Sequence, residues 1–120
     1  MEFMNKIELQ GVVGRADVVS YNSNRVCKFS VVTEYSSRDK DGVSAVESLW
    51  FNVSLWESDD SPKPEIESIK KGAWVHLIGR LRVRKYTTSE NDERSSLDVI
   101  ARQVEVMARD GSSMQPQHDY

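Results

Sequence analysis

Apolar and polar residues alternate with a period of two along most of this chain, which is the signature of strands with one face on a core. From Asn5 to Val13 the apolar positions are Ile7, Leu9 and, past Gly11, Val13. Gly11 and Gly14 inside this pattern predict a bend or bulge, as a small barrel needs at its corners. From Arg25 to Tyr35, Cys27, Phe29, Val31 and Thr33 share one face, and Lys28, Ser30 and Glu34 the other. Asp41-Gly42 then marks a turn. From Val46 to Trp56, Leu49, Phe51, Val53 and Leu55 share a face, opposite Ser48, Trp50, Asn52, Ser54 and Trp56. From Ala73 to Tyr86, Val75, Leu77, Leu81 and Val83 point inward with Gly79 among them, and Arg80, Arg82, Arg84 and Tyr86 point outward. The last strand, Leu97 to Met107, carries Leu97, Val99 and Ala101, then Val104 and Val106; the parity break near Arg102 predicts a bulge.

One helix is expected, from Ser58 to Lys71, with Pro62 and Pro64 near its start, Ile66 and Ile69 inward, and Gly72 as its stop. Thr87 to Ser96 is polar throughout and reads as a long mobile hairpin loop, and Ala108 to Tyr120 as a short disordered tail. Three strands, one short helix and two strands predict an all-β fold: a five-stranded OB-fold barrel over residues 1–107, with one short helix between strands 3 and 4.

The chemistry of the outward positions narrows the function. If Leu49, Phe51, Val53 and Leu55 fill the barrel, Trp50 and Trp56 stand outside it. Flat rings beside guanidinium groups make a platform on which single-stranded bases stack while Arg and Lys follow the phosphates. The competing reading is that the two Trp cover a second small core or a subunit interface. Trp74, next to the helix stop, reads as packing, and His76 as structural.

Net charge is −3, which taken as an average argues against a polyanionic partner. Its distribution reverses that argument: Ile69 to Tyr86 carries six basic residues and no acid. A phosphate feels charge mainly within about 8 to 10 Å, so the local stripe outweighs the mean. One cysteine, Cys27, allows no intrachain disulfide, and one Cys with two His falls short of a zinc site. Cys27 reads as a core thiol. No phosphate loop, metal-ligand spacing or nucleophile motif is present in the sequence, so the expectation is a non-enzyme without cofactor or metal. No run is long enough to span a bilayer and no signal peptide is visible, so a cytoplasmic protein is expected.

Taken together, these segments resemble the bacterial single-stranded DNA-binding protein family. Asn5-Lys6-Ile7 with Gly11 and Gly14 is similar to its opening strand, Phe29 to Thr33 to its second, and Trp50 to Trp56 to its aromatic–alternating–aromatic third. Lys71-Gly72 followed by Val75, Gly79, Leu81, Arg82, Arg84, Lys85 and Tyr86 resembles its fourth strand, and Val99 to Met107 its last. The resemblance covers about residues 4 to 107. It implies sequence-tolerant binding and protection of single-stranded DNA in replication, recombination or repair. It also implies a homo-oligomer, tetramer rather than dimer, with the first strand helping to pair subunits.

Carried over by position, Trp50, Trp56 and Tyr86 stack bases; Arg80, Arg82, Arg84, Lys85 and Lys28 meet phosphates. Tyr35 is the ring nearest to a further family aromatic, although strict alternation turns it inward. The chain departs from the family at Ala16-Asp17, where an Asp-Pro is usual, and at Ser20, near an expected basic residue. Its ending, Gln117-His118-Asp119-Tyr120, lacks the long linker and acidic tip that recruit replication and repair proteins, as in a tailless or truncated member. Met1-Glu2-Phe3 reads as additional to a start at Met4. The alternatives are a primosomal accessory OB protein and an OB subunit that binds protein without DNA. RNA as ligand is left open, because stacking does not distinguish sugars.

Overall fold

The computed structural model describes residues 1–107. Five strands, β1 (Ile7–Tyr21), β2 (Asn24–Arg38), β3 (Ser44–Glu57), β4 (Trp74–Thr87) and β5 (Glu93–Met107), close into one barrel in the order β1-β2-β3-β5-β4. Hairpins join β1 to β2, β2 to β3 and β4 to β5; β1 pairs antiparallel with β4, and β3 runs parallel to β5. This is the expected OB-type barrel, closed so that no strand edge is left open in its body.

Both expected irregularities are present. Val13 pairs with Val31 while Arg15 pairs with Ser30, so Gly14 is the extra residue of a bulge in β1. Ile78 pairs with Gln103 while Gly79 pairs with Ala101, so Arg102 is the extra residue in β5. Gly79 is required by close approach: a Cβ there would lie 2.3 Å from the Ile100 carbonyl oxygen, which is backbone and cannot swing away.

The inward rows of all five strands form the core, including Leu9, Val13, Cys27, Phe29, Val31, Val53, Leu55, Val75, Leu77, Val99, Ala101, Val104 and Val106. At one end of the barrel Ile66 and Ile69 plug it. The helix is far shorter than the expected Ser58–Lys71: a single 3-10 turn, η1 (Pro64–Ser68), which carries Ile66 and is followed directly by Ile69. The prolines explain this. Pro62 and Pro64 have no N–H to donate and push the residues before them toward extended backbone; Lys63 has φ −130° and ψ 75°. Ser58 and Ser61 instead exchange two backbone hydrogen bonds in a tight turn, at 3.2 and 3.0 Å. Ile66 and Ile69, three apart, suit a turn with three residues per revolution. Gly72 still ends the segment, at φ 89°, where its N–H donates to the Val13 carbonyl at 2.8 Å. An ion-pair network anchors the plug: Arg25 of β2 bonds Glu57 at the end of β3 and Glu67 of η1, and Glu57 accepts from the Lys63 N–H at 2.7 Å.

The opposite end carries two ribbons that project beyond the barrel. The β2–β3 pairing continues to Arg38 and Ser44, and the β4–β5 pairing to Thr87 and Glu93. Because β3 and β5 are parallel and both begin at this end, both ribbons leave on the same side. The expected long loop from Thr87 to Ser96 is therefore mostly paired strand, with only Thr88 to Asp92 as connection. The same extension corrects three expected core residues. Leu49, Val83 and Leu97 have the inward parity but sit on the ribbons, where no opposite wall exists, and are exposed. At the β2–β3 tip Asp39 Oδ1 accepts from the N–H groups of Asp41 and Val43, both at 2.9 Å, and Gly42 adopts φ 82°, which bears out the turn.

Candidate nucleic-acid interface

The outer row of β3 runs Trp50, Asn52, Ser54, Trp56, and its neighbours on β2 are Val32, Ser30, Lys28 and Val26. Six residues of strand set the backbones of the two tryptophans about 20 Å apart. Both are exposed, Trp50 to 61% and Trp56 to 46%, yet each ring is supported from below. Trp50 lies across the bulge: a Cβ on Gly14 would come within 2.4 Å of its six-membered ring. Gly14 therefore bends β1 and also leaves the space in which Trp50 rests. Trp56 stacks on Tyr21, with ring centroids 5.8 Å apart and planes 28° apart. Tyr21 is in place because β1 does not stop at Val13 but continues past the bulge to Tyr21.

Between the indoles a groove of about 630 Å³ opens over Asn52 and Ser54. Arg15 and Lys28 line it from β1 and β2, and Arg82 and Arg84 reach it from β4. Two carboxylates, Asp17 and Asp98, share it with these four cations. Asp98 is the only buried charged residue among the described residues, at 6% exposure. Arg84 Nε donates to Asp98 Oδ2 at 2.9 Å, Arg82 Nη2 lies 3.6 Å from the same oxygen, and Ser96 Oγ donates to Oδ1 at 3.3 Å. The Arg84 guanidinium also sits 5.4 Å from the centre of the Tyr86 ring, within cation–π range. The site thus offers aromatic faces at two ends and fixed guanidinium groups along one wall. It can hold a flexible polyanion with planar side groups. Among the described residues no group of three or more His, Cys, Asp or Glu is placed to hold a metal ion.

The sequence matches the Single-strand binding protein family over residues 4–107. The chain belongs to that family. Single-stranded DNA-binding proteins of Neisseria meningitidis serogroups A and B are each 32% identical to it over 108 residues, covering 87% of this chain and 60% of the relative. That of Xanthomonas axonopodis pv. citri is 27% identical over 112 residues, covering 90% of this chain and 60% of the relative. The chain thus spans about 60% of the length of these curated relatives. Among solved structures, a Plasmodium falciparum SSB complex with ssDNA superposes with a TM-score of 0.73 at 23% identity, covering 88% of this chain and 95% of that one. A deletion mutant of the single-stranded DNA binding protein from Thermus aquaticus gives 0.69 at 17% identity, covering 92% and 54%. Both likenesses are of fold.

Within this member of the Single-strand binding protein family, the residues expected from sequence do not all gather in one place. Trp50, Trp56, Lys28, Arg82 and Arg84 frame the groove, and Tyr86 adjoins it through Arg84. Arg80 lines a different cavity, with Asn5, Lys6, Ile78 and Arg102. Lys85 alternates to the Val83 side of β4, away from the row of Arg82, Arg84 and Tyr86. Tyr35 stands on the β2–β3 ribbon, 68% exposed and paired with Glu47, on the face that alternates away from Trp50. Its inward parity meets no core there, for the same reason as Leu49.

Arg15, Tyr21 and Asp98 join the site without having been expected from the sequence. A strand-one pattern carried past Gly14 with its parity shifted by one places Arg15, Asp17, Val19 and Tyr21 outward, which is the signal that finds the first two. His76 bonds Glu8 across β1 and β4, and Trp74 is half-buried at the start of β4. Cys27 is fully buried, and burial pushes its thiol up to about 11, as befits a packing residue. The expected disordered tail, 108–120, lies outside the described residues. No helix among the described residues is long and apolar enough to cross a membrane.

Proposed function

We propose that this chain binds single-stranded DNA with little sequence preference and shields it during replication, recombination or repair. One observation carries the reading: two exposed, ring-supported indoles stand on the β3 row to either side of Asn52 and Ser54, which floor a groove lined by Arg15, Lys28, Arg82 and Arg84. Bases stack on Trp50 and Trp56, and on Tyr86 at the ribbon. Phosphates follow Arg82, Arg84 and Lys28, with Arg80, Lys85 and Tyr35 reached by a strand that continues around the barrel. Stacking tolerates any base because every base has a π-face. No bond is made or broken; the bound strand is withheld from re-annealing and from nucleases. The proposal includes a homo-oligomer, a tetramer before a dimer, acting in the cytoplasm.

The test is tryptophan fluorescence during titration with oligo(dT) at low and high salt. Strong quenching is expected, with log K falling against log salt at about −0.7 per phosphate contacted. Duplex DNA should not reproduce the quenching. A protein whose fluorescence does not respond and which does not retain the oligonucleotide at low salt is a protein-interaction module instead.

A further inference from the structure

The groove contains a feature that opposes its own charge. Asp98, one of two carboxylates among four cations, lies beneath the surface on which a phosphate would settle. On net charge alone it weakens binding of a polyanion. The geometry points to the reverse: we propose that Asp98 is a positioning residue, which holds Arg84, and with it Arg82, in the orientation that receives phosphate. This inference rests on the reading of the groove as a single-strand site.

Arg84 binds Asp98 through Nε, the nitrogen nearest the stem, at 2.9 Å. A guanidinium has five N–H donors in a rigid plane, so this bond leaves the two terminal amines free and fixes the plane they lie in. The Tyr86 ring, 5.4 Å from the guanidinium carbon, adds a second restraint. Ser96 supports the other carboxylate oxygen at 3.3 Å, and β3 and β5 hold Asp98 in register opposite Asn52 at the floor of the groove. Arg82, across the β4–β5 ladder from Asp98, lies 3.6 Å from the oxygen that Arg84 uses. An arginine on a half-exposed strand otherwise samples many rotamers, and ordering it on binding costs free energy. A buried carboxylate that orders it beforehand removes part of that cost.

Oligo(dT) affinity is measured for the full chain, Asp98→Asn, Arg84→Ala and the double variant across a salt series, with folding followed by circular dichroism. Asp98→Asn should bind about fivefold to tenfold more weakly, the scale of the cost of ordering one rotamer-rich side chain. Its salt slope should become shallower by about 0.7 for each phosphate that is no longer engaged. In the Arg84→Ala background the same substitution should cost less than about twofold, because only the longer Arg82 contact is then left to lose. Equal or tighter binding by Asp98→Asn overturns the inference, as does an undiminished effect in the Arg84→Ala background.

Should Asp98→Asn fail to fold, Arg84→Lys decides. A lysine keeps the charge but cannot bridge carboxylate and phosphate through one plane, so it should bind nearly as weakly as Arg84→Ala; full affinity in Arg84→Lys overturns the inference. If the unsubstituted chain does not bind oligo(dT) at all, it is the single-strand reading that fails, and that outcome is visible before any variant is compared.

Discussion

The two halves of β3 obey the same alternation and end in different surroundings. From Phe51 to Leu55 the strand forms part of a closed wall, and its inward residues Val53 and Leu55 are sealed. From Ser44 to Leu49 it pairs only with β2, and Leu49, with the same parity, is exposed. Alternation assigns a residue to a side of the sheet; burial depends on whether another wall stands on that side. The barrel body therefore carries the stability of the chain, and the outer row and ribbons are free to carry recognition.

Substitutions can break or sharpen this division. The largest effect is expected in the body: Leu55→Ala should lower unfolding free energy by about 2 to 5 kcal/mol, read from denaturant melts. A loss below about 1 kcal/mol would mean that the barrel is not a packed core. On the outer row, Trp56→Ala should cost about 1 to 3 kcal/mol of oligo(dT) affinity with a nearly unchanged melting temperature. If stability falls instead and affinity holds, Trp56 belongs to the structure. Tyr21→Ala should cost about 0.5 to 1.5 kcal/mol of affinity by freeing the Trp56 ring, the worth of an aromatic pair. An unaffected titration curve would assign the Tyr21 ring no part in binding.

Acid separates the regions next. Its hydrogen bond from Arg25, then that from the Lys63 N–H, hold the Glu57 carboxyl below the usual carboxylate range. A folded-state pKa below the unfolded one adds stability that is fully present above about pH 4.3 and is lost as pH falls through the folded value. Glu57→Gln should therefore flatten the decline in melting temperature between neutral pH and about pH 3; parallel curves would show that Glu57 contributes none of it. The smallest effect belongs to the ribbons: Leu97→Ser should stay within about 0.5 kcal/mol of the parent stability. A larger loss in the same melts would reveal a wall over the β4–β5 ribbon.

Much of this is legible in the residues themselves. The order of elements, the inward rows and the bulges at Gly14 and Arg102 follow from local spacing, because an extra residue is what shifts the parity of a strand. The ribbons are less legible. Ser36, Ser37, Ser95 and Ser96 have neither apolar character nor alternation, and they are strand only because a partner strand supplies their hydrogen bonds. The plug reads as too long a helix, since Ile66 and Ile69 fit one turn of either helix type and only the two prolines decide between them. In the site, the rings and the arginine row are readable from β3 and β4. Asp98 is not: between Leu97 and Val99 it reads as an ordinary solvated charge, and only the pairing of β5 with β4 brings the Arg82 and Arg84 side chains against it.

The parallel pairing of β3 with β5 spans only four residues, Asn52 to Leu55 against Asp98 to Ala101, whose partners are 46 positions apart in the chain. The three hairpins join neighbours in sequence, and hairpins of this kind form within microseconds. Closing the ring must wait for two preassembled sheets, β1-β2-β3 and β4-β5, to meet across the segment that carries η1. Distant pairings place such chains among the slower two-state folders, in the range of about milliseconds to seconds. This seam and the β1–β4 pairing, Ile7 to Val12 against Gly79 to Trp74, are then the last parts of the barrel to form. Truncating Val99 should accelerate unfolding and spare the refolding rate, whereas truncating Val31 within a hairpin should slow refolding. Asp98 and the arginines it orders lie together on the β4–β5 hairpin, whereas Arg15, Lys28, Asn52 and Ser54 come from the other sheet, so the groove is complete only when the ring shuts, and no half-assembled chain presents a finished binding surface.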